Sequence, residues 1–174
     1  LFARYQQLFG KKAEVPDDGY QGDYVVDLAE RIKAEDGDGY LKMPEADALS
    51  ELGEKGLRMM VDSIRADVGE LRVSYDVWFS ERSLYKNGQY DTAMKLLADA
   101  GYLADREGAR WFMSTALGDD QDKVVVRRNG DPTYFAGDIA YHYNKLFERR
   151  FDRVIDVLGA DHQGHVRFMK AVAT

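Results

Sequence analysis

The run Thr133-Tyr134-Phe135-Ala136-Gly137-Asp138-Ile139-Ala140-Tyr141-His142 constrains this chain more than any other, because its periodicity changes within a few residues. Thr133, Tyr134 and Phe135 favour a strand, and Gly137 permits a turn. Asp138 stands where a helix accepts an N-cap acid, ahead of the apolar-periodic Ile139, Tyr141, Tyr143, Leu146 and Phe147. The expectation is a short strand turning directly into a helix over 138–149, with a phenol and a carboxylate at one corner. Taken alone, Asp138 is explained by capping, since Asp is a common N-cap residue. A ligand-binding role depends on what the rest of the chain brings to that corner.

The sequence has 174 residues, 45% of them hydrophobic and 32% charged, which suits a folded globular protein and argues against disorder. It contains no apolar run that would span a bilayer, no signal peptide, and no cysteine for a disulfide or a zinc site. These features fit a cytoplasmic location and no membrane partner. A formal charge of −7 argues against a broad polyanion-binding surface, which needs clustered Lys and Arg. The chain opens on Leu1-Phe2, its first methionine is Met43, and Lys170–Thr174 reads as a helix in progress, so an internal fragment is expected.

Phe2, Tyr5, Leu8 and Phe9 have helical spacing, closed by Gly10, and Pro16-Asp17-Asp18-Gly19 is a turn signal. A second helix is expected over 21–35, with Tyr24, Val25, Leu28, Ala29 and Ile32 as its stripe, ending at Asp36-Gly37-Asp38-Gly39. That ending lacks the alternating ligands and terminal Glu of a calcium loop. A long helix from Pro44 to Val68 presents Leu49, Leu52, Leu57, Met60, Val61, Ile64 and Val68 as a broad apolar face. Val73–Phe79 alternates and is rich in branched and aromatic residues, predicting a strand that ends at Glu81, where a short helix opens and runs to Gly88. Glu81 by itself suits the positive end of that helix.

Residues 89–131 predict a helix followed by a small antiparallel sheet: Asp91–Ala100, then strand pieces at 102–103 and 110–113 around an Asp105-Arg106-Glu107-Gly108 turn, and a strand at 123–128, with Asn129-Gly130 turning the chain back towards Thr133. Arg153–Leu158 predicts a strand buried on both faces, followed by the loop Gly159-Ala160-Asp161-His162-Gln163-Gly164-His165 and another helix. Strand, helix, strand and helix in this order imply parallel pairing. Three predicted strands therefore end in acids, at Glu81, at Asp138 beside Tyr134, and at Asp161. In an open parallel sheet, ligands bind beyond the carboxyl ends of the strands.

Carboxylates joined by a hydroxyl, with no basic group, suit a guanidinium, which offers five donors in a rigid fork and accepts nothing. A metal would use the same acids, and spacing alone does not choose between them. The three histidines, His142, His162 and His165, all fall in the last third of the chain, and the pair at 162 and 165 lacks a third zinc ligand at matching spacing. A nucleotide contact or a structural hydrogen bond is the expected role.

Asp76-Val77-Trp78-Phe79-Ser80-Glu81, Gly108-Ala109-Arg110-Trp111, the stretch Gly130 to His142 and Gly159-Ala160-Asp161-His162 together resemble the middle of arginyl-tRNA synthetase. Asp18-Gly19-Tyr20-Gln21-Gly22 resembles its bacterial form, and the similarity runs through nearly the whole chain in order. It implies a class I synthetase fold: a partial Rossmann-like parallel sheet interrupted by a helical insertion and a small α+β connective insertion. The implied divisions are 1–20, the end of a first catalytic half; 21–70, a helical insertion; 71–82, a catalytic strand; 83–131, a connective insertion; and 132–174, a second catalytic part. Glu81, Tyr134 and Asp138 would hold the guanidinium and amino groups of L-arginine, with Asp161 completing the pocket. Gly159, His162 and His165 would lie near the adenosine of ATP or of the adenylate.

The implied reaction is attack of the arginine carboxylate on the α-phosphate of ATP, with Mg2+ accompanying the nucleotide, followed by transfer to tRNA(Arg). Such chemistry rests on positioning and charge stabilisation, so no residue here is expected to act as an acid-base catalyst. The His-Ile-Gly-His and Lys-Met-Ser-Lys signatures of the class are not in this sequence. The chain alone is therefore expected not to aminoacylate, to meet tRNA mainly through parts outside it, and to be monomeric. The competing readings are a non-catalytic α/β module binding a cationic small molecule or basic peptide, and a purely structural interaction domain.

Overall fold

The computed structural model describes residues 1–17 and 19–174. The turn expected over 16–19 and the resemblance over 18–22 both include Asp18, which lies outside the described residues. The chain divides into two compact units, Leu1–Val77 and Trp78–Thr174.

The first unit is helical. Helix α1 (Phe2–Gln7), α2 (Tyr24–Asp36) and α3 (Glu45–Glu70) follow the apolar periodicity closely. Tyr5, Leu28, Ala29, Ile32 and Leu52 form its core, each such side chain contributing about 1.5–3 kcal/mol for the large aliphatic ones. Lys33 closes the α1 end by donating from Nζ to the Leu8 carbonyl at 2.8 Å. The broad apolar face expected on α3 is only partly used: Ala48, Leu52 and Gly56 are buried, whereas Leu49, Leu57 and Ile64 are exposed. The cause is length. At 1.5 Å per residue, the 26 residues of α3 run about 39 Å and the 13 of α2 only about 20 Å, so α3 outruns its cover.

The second unit combines helices and a sheet, as expected of an α/β chain. It contains α4 (Arg82–Lys86), α5 (Gln89–Asp99), β1 (Leu103–Arg106), β2 (Ala109–Phe112), β3 (Lys123–Val126), α6 (Tyr134–Tyr143) and α7 (Val166–Val172). The strands form one antiparallel sheet in the order β1-β2-β3, with a register shift between Arg110 and Trp111. Glu107 and Gly108 link β1 to β2 with φ of 53° and 77°, the left-handed pair that a tight hairpin requires. Leu84, Met94, Phe112, Val125, Ile139 and Phe168 gather the helices against the sheet.

Two expectations fail here. Neither 73–79 nor 153–158 forms a strand; neither joins the sheet, and Val157, expected to be buried on both faces, is 92% exposed. A strand is a property of a pair, and among the described residues nothing pairs with either segment, so no parallel sheet forms. The acids at 81, 138 and 161 consequently do not lie at strand ends.

The start of α6 also differs. Thr133 is its N-cap, in extended conformation, so Tyr134 and Phe135 are helical and Asp138 lies in the second turn instead of capping. The reason is local. Thr133 donates its hydroxyl to the Val124 carbonyl at 2.7 Å and its N–H to that of Val125 at 2.9 Å, so the chain stays tied to β3 up to Thr133 and is released into helix there. A π-turn over Asn144–Glu148 then ends the helix.

Candidate functional site

Helix α6 supplies the centre of the site. Tyr134 and Asp138 are four residues apart on it and so share a face. Phe79 stacks on Tyr141 with ring centroids 4.6 Å apart, and Leu84 is buried in the core, which together hold the start of α4 against α6. Glu81, the N-cap residue of α4, thereby reaches α6 at Gly137. The turn Ala160–His165 leads into α7, and α7 is anchored by Phe168, whose ring meets Phe112 at 6.2 Å and Phe135 at 4.8 Å.

These supports bring Glu81, Tyr134, Asp138, Asp161, His162 and His165 to the walls of one open cleft of about 550 Å³, together with Gln121, Lys123 and Phe135. Gly159 is outside the lining; a side chain there would meet the Asp161 carboxylate, so its bareness makes room for Asp161. His165 donates from Nε2 to Asp138 Oδ2 at 2.8 Å, and its ring stacks on Phe135 at 5.4 Å with 21° between the planes. Asp138 keeps its other oxygen without a hydrogen-bond partner among the described residues. His162 is open to solvent, with Nε2 3.8 Å from Asp161 Oδ2. Beside Glu81, burial together with the Glu81, Tyr90 and Asp138 charges raises the Tyr85 phenol above its ordinary pKa.

Of the cleft residues that the sequence does not single out, Lys123 is the charged one. It lines the cleft, although a guanidinium pocket was expected to contain no base. Its ammonium lies 3.6 Å from the buried Asp119 carboxylate, which offsets the charge. The signal was present: in Lys123-Val124-Val125-Val126 the strand period puts Lys123 on the same buried face as Val125.

His142 lies outside this cleft. Its Nδ1–H donates to the Asp138 carbonyl at 2.9 Å, and its Nε2 is 3.2 Å from Asp156 Oδ2. Lys145 donates to Asp156 Oδ1 at 2.6 Å. Burial opposes ionisation of Asp156, but the Lys145 hydrogen bond and charge and the neighbouring His142 prevail, and its pKa falls below the ordinary value. This cluster ties the 153–158 segment to α6, ahead of the turn that carries Asp161, His162 and His165.

Two carboxylates and a phenol on one wall, with a second, solvent-open wall of Asp161 and His162, can receive a planar multi-donor cation in an oriented way. The chain belongs to the family described as tRNA synthetases class I (R), catalytic domain, whose model matches residues 27–174. Within that class its relatives are named for arginine. An arginine-tRNA ligase of Dehalococcoides mccartyi is 58% identical over 174 residues, and one of Carboxydothermus hydrogenoformans 48% over 168. The match covers all of this chain in the first case and 97% in the second, but only 31% and 30% of those proteins, so the chain spans about a third of their length. A crystal structure from Campylobacter jejuni named for arginyl tRNA synthetase superposes with a TM-score of 0.81 at 28% identity, over 98% of this chain and 38% of that one.

Proposed function

We propose that this chain holds L-arginine within an arginine-tRNA ligase, for activation by ATP and transfer to tRNA(Arg). The observation that carries the reading is the single cleft joining Glu81 and Asp138 with Tyr134. In it the guanidinium fork is received by the two carboxylates and the Tyr134 hydroxyl, with charge-assisted bonds worth roughly twice neutral ones. Asp161 takes the α-amino end. His162 and the bare Gly159 turn face the adenosine. The arginine carboxylate attacks the α-phosphate of ATP and pyrophosphate leaves; the ribose hydroxyl of the tRNA end then displaces AMP. These residues contribute orientation and charge, not proton transfer. Magnesium enters with the ATP phosphates, and no residue of this chain is assigned to it.

We read residues 21–70 as a helical insertion and 83–131 as a connective one, in a monomeric cytoplasmic enzyme. Among the described residues no helix is long and apolar enough to cross a membrane. A non-catalytic binding module has no support among the relatives, whose names are those of a ligase. The test is a chimera in which these 174 residues replace the matching stretch of the Dehalococcoides mccartyi ligase. It should charge tRNA with arginine, and Glu81→Gln in the chimera should cut that charging by about 100-fold, corresponding to about 2.7 kcal/mol. A folded chimera that forms no arginyl-adenylate would refute the reading.

A further inference from the structure

We propose that Gly137 is a positioning residue: by carrying no side chain it leaves, on the face of α6, the room in which the Glu81 carboxylate stands, and so fixes where that carboxylate meets a cationic ligand. The inference rests on the reading of the cleft given above.

Gly137 is buried within regular helix, flanked by Ala136 and close to Ile139 and Ala140, and its backbone needs no left-handed conformation. Alanine is a better helix former at such a position. The neighbour supplies the reason for glycine. A Cβ built on Gly137 would overlap Glu81 Oε1, stand 3.2 Å from Glu81 Cδ and 3.6 Å from the Tyr85 hydroxyl. The other helical glycines differ: Gly53 and Gly69 face open space, and Gly56 meets the apolar Leu1. Gly137 alone among these meets a charged group of the cleft.

The base of Glu81 is fixed while its tip is not. Phe79 is stacked on Tyr141, Leu84 is fully buried, and the Leu84 N–H donates to the Glu81 carbonyl at 3.0 Å, so the backbone around residue 81 is held on α6. The carboxylate is the far end of a flexible side chain. A methyl group at 137 therefore pushes the carboxylate aside and leaves helix and core in place.

The test is Gly137→Ala in the 174-residue chain, made in the Glu81 and Glu81→Gln backgrounds. Three quantities are read: thermal midpoint, the carboxyl carbon resonance of Glu81, and L-arginine affinity by calorimetry. The expected result is an unchanged or raised midpoint, a displaced Glu81 resonance, and an affinity about tenfold weaker with Glu81 but within about twofold in the Glu81→Gln background, the non-additivity of residues that act together. An unmoved Glu81 resonance overturns the proposal. So does loss of the fold, or an affinity loss of equal size in both backgrounds. If no variant binds arginine, the reading of the cleft fails, and the resonance alone decides the positioning role: displaced supports it, unmoved overturns it.

Discussion

His165 Nε2 lies 2.8 Å from Asp138 Oδ2, so one of the two central carboxylates of the cleft is already held by a donor from the turn that leads into α7. The bond joins α6 to the Ala160–His165 turn and sets the orientation of the remaining carboxylate oxygen. A preorganised acceptor loses less freedom when a ligand arrives.

Replacing His165 by Phe keeps a ring to stack on Phe135 and Phe168 but deletes the donor. We expect L-arginine affinity to fall about fivefold to tenfold, the value of one side-chain hydrogen bond at about 1–1.4 kcal/mol, with little change in thermal midpoint. Calorimetric titration of the two proteins measures it. Tighter binding by the variant would mean that His165 competes with the ligand for Asp138.

The Asp156 cluster predicts a pH-dependent contribution to stability. Lys145 and His142 hold the Asp156 carboxyl below its ordinary value of 3.8 against the opposing effect of burial. A group whose folded pKa is depressed stabilises the fold above its unfolded value, and that contribution is lost as pH falls through the folded one. Asp156→Asn should thus be destabilising at pH 7, on the order of 3 kcal/mol because it leaves the buried Lys145 ammonium without its anion. The gap between variant and parent should close as pH drops below 3.8. Thermal melts from pH 2 to pH 7 check this, and a constant gap would contradict it.

Thr133→Val removes the hydroxyl that ties the start of α6 to Val124 while keeping shape. The loss should be about 1 kcal/mol of stability. Amide exchange should rise first at residues 136 and 137, whose N–H groups donate to the Thr133 carbonyl. Equal exchange in both proteins would show that the tie does not set the helix start.

The helices were legible because each carries a full apolar period: Val25, Leu28, Ala29 and Ile32 are buried in α2, and Ala93 in α5. The hairpin was legible from its turn chemistry at Glu107-Gly108. The segments 73–79 and 153–158 read as strands because composition records β propensity, whereas pairing depends on neighbours that composition does not name. Gly137 was misread as a turn for a related reason. Its requirement comes from the Glu81 side chain, distant in sequence, and not from its own backbone. Asp156, a single acid in the apolar run Val154–Leu158, was the visible hint of the His142–Lys145 cluster, but only the fold shows the cations beside it.

The most direct test of the account is a titration of the folded chain with L-arginine followed by heteronuclear NMR, alongside the neutral near-isostere L-citrulline and the variant Asp138→Asn. Shifts for arginine should centre on residues 81, 134, 138 and 161, citrulline should cause none of comparable size, and the variant should lose them. An equal response to citrulline, or no response from a well-folded chain, would contradict the assignment of this cleft to a guanidinium.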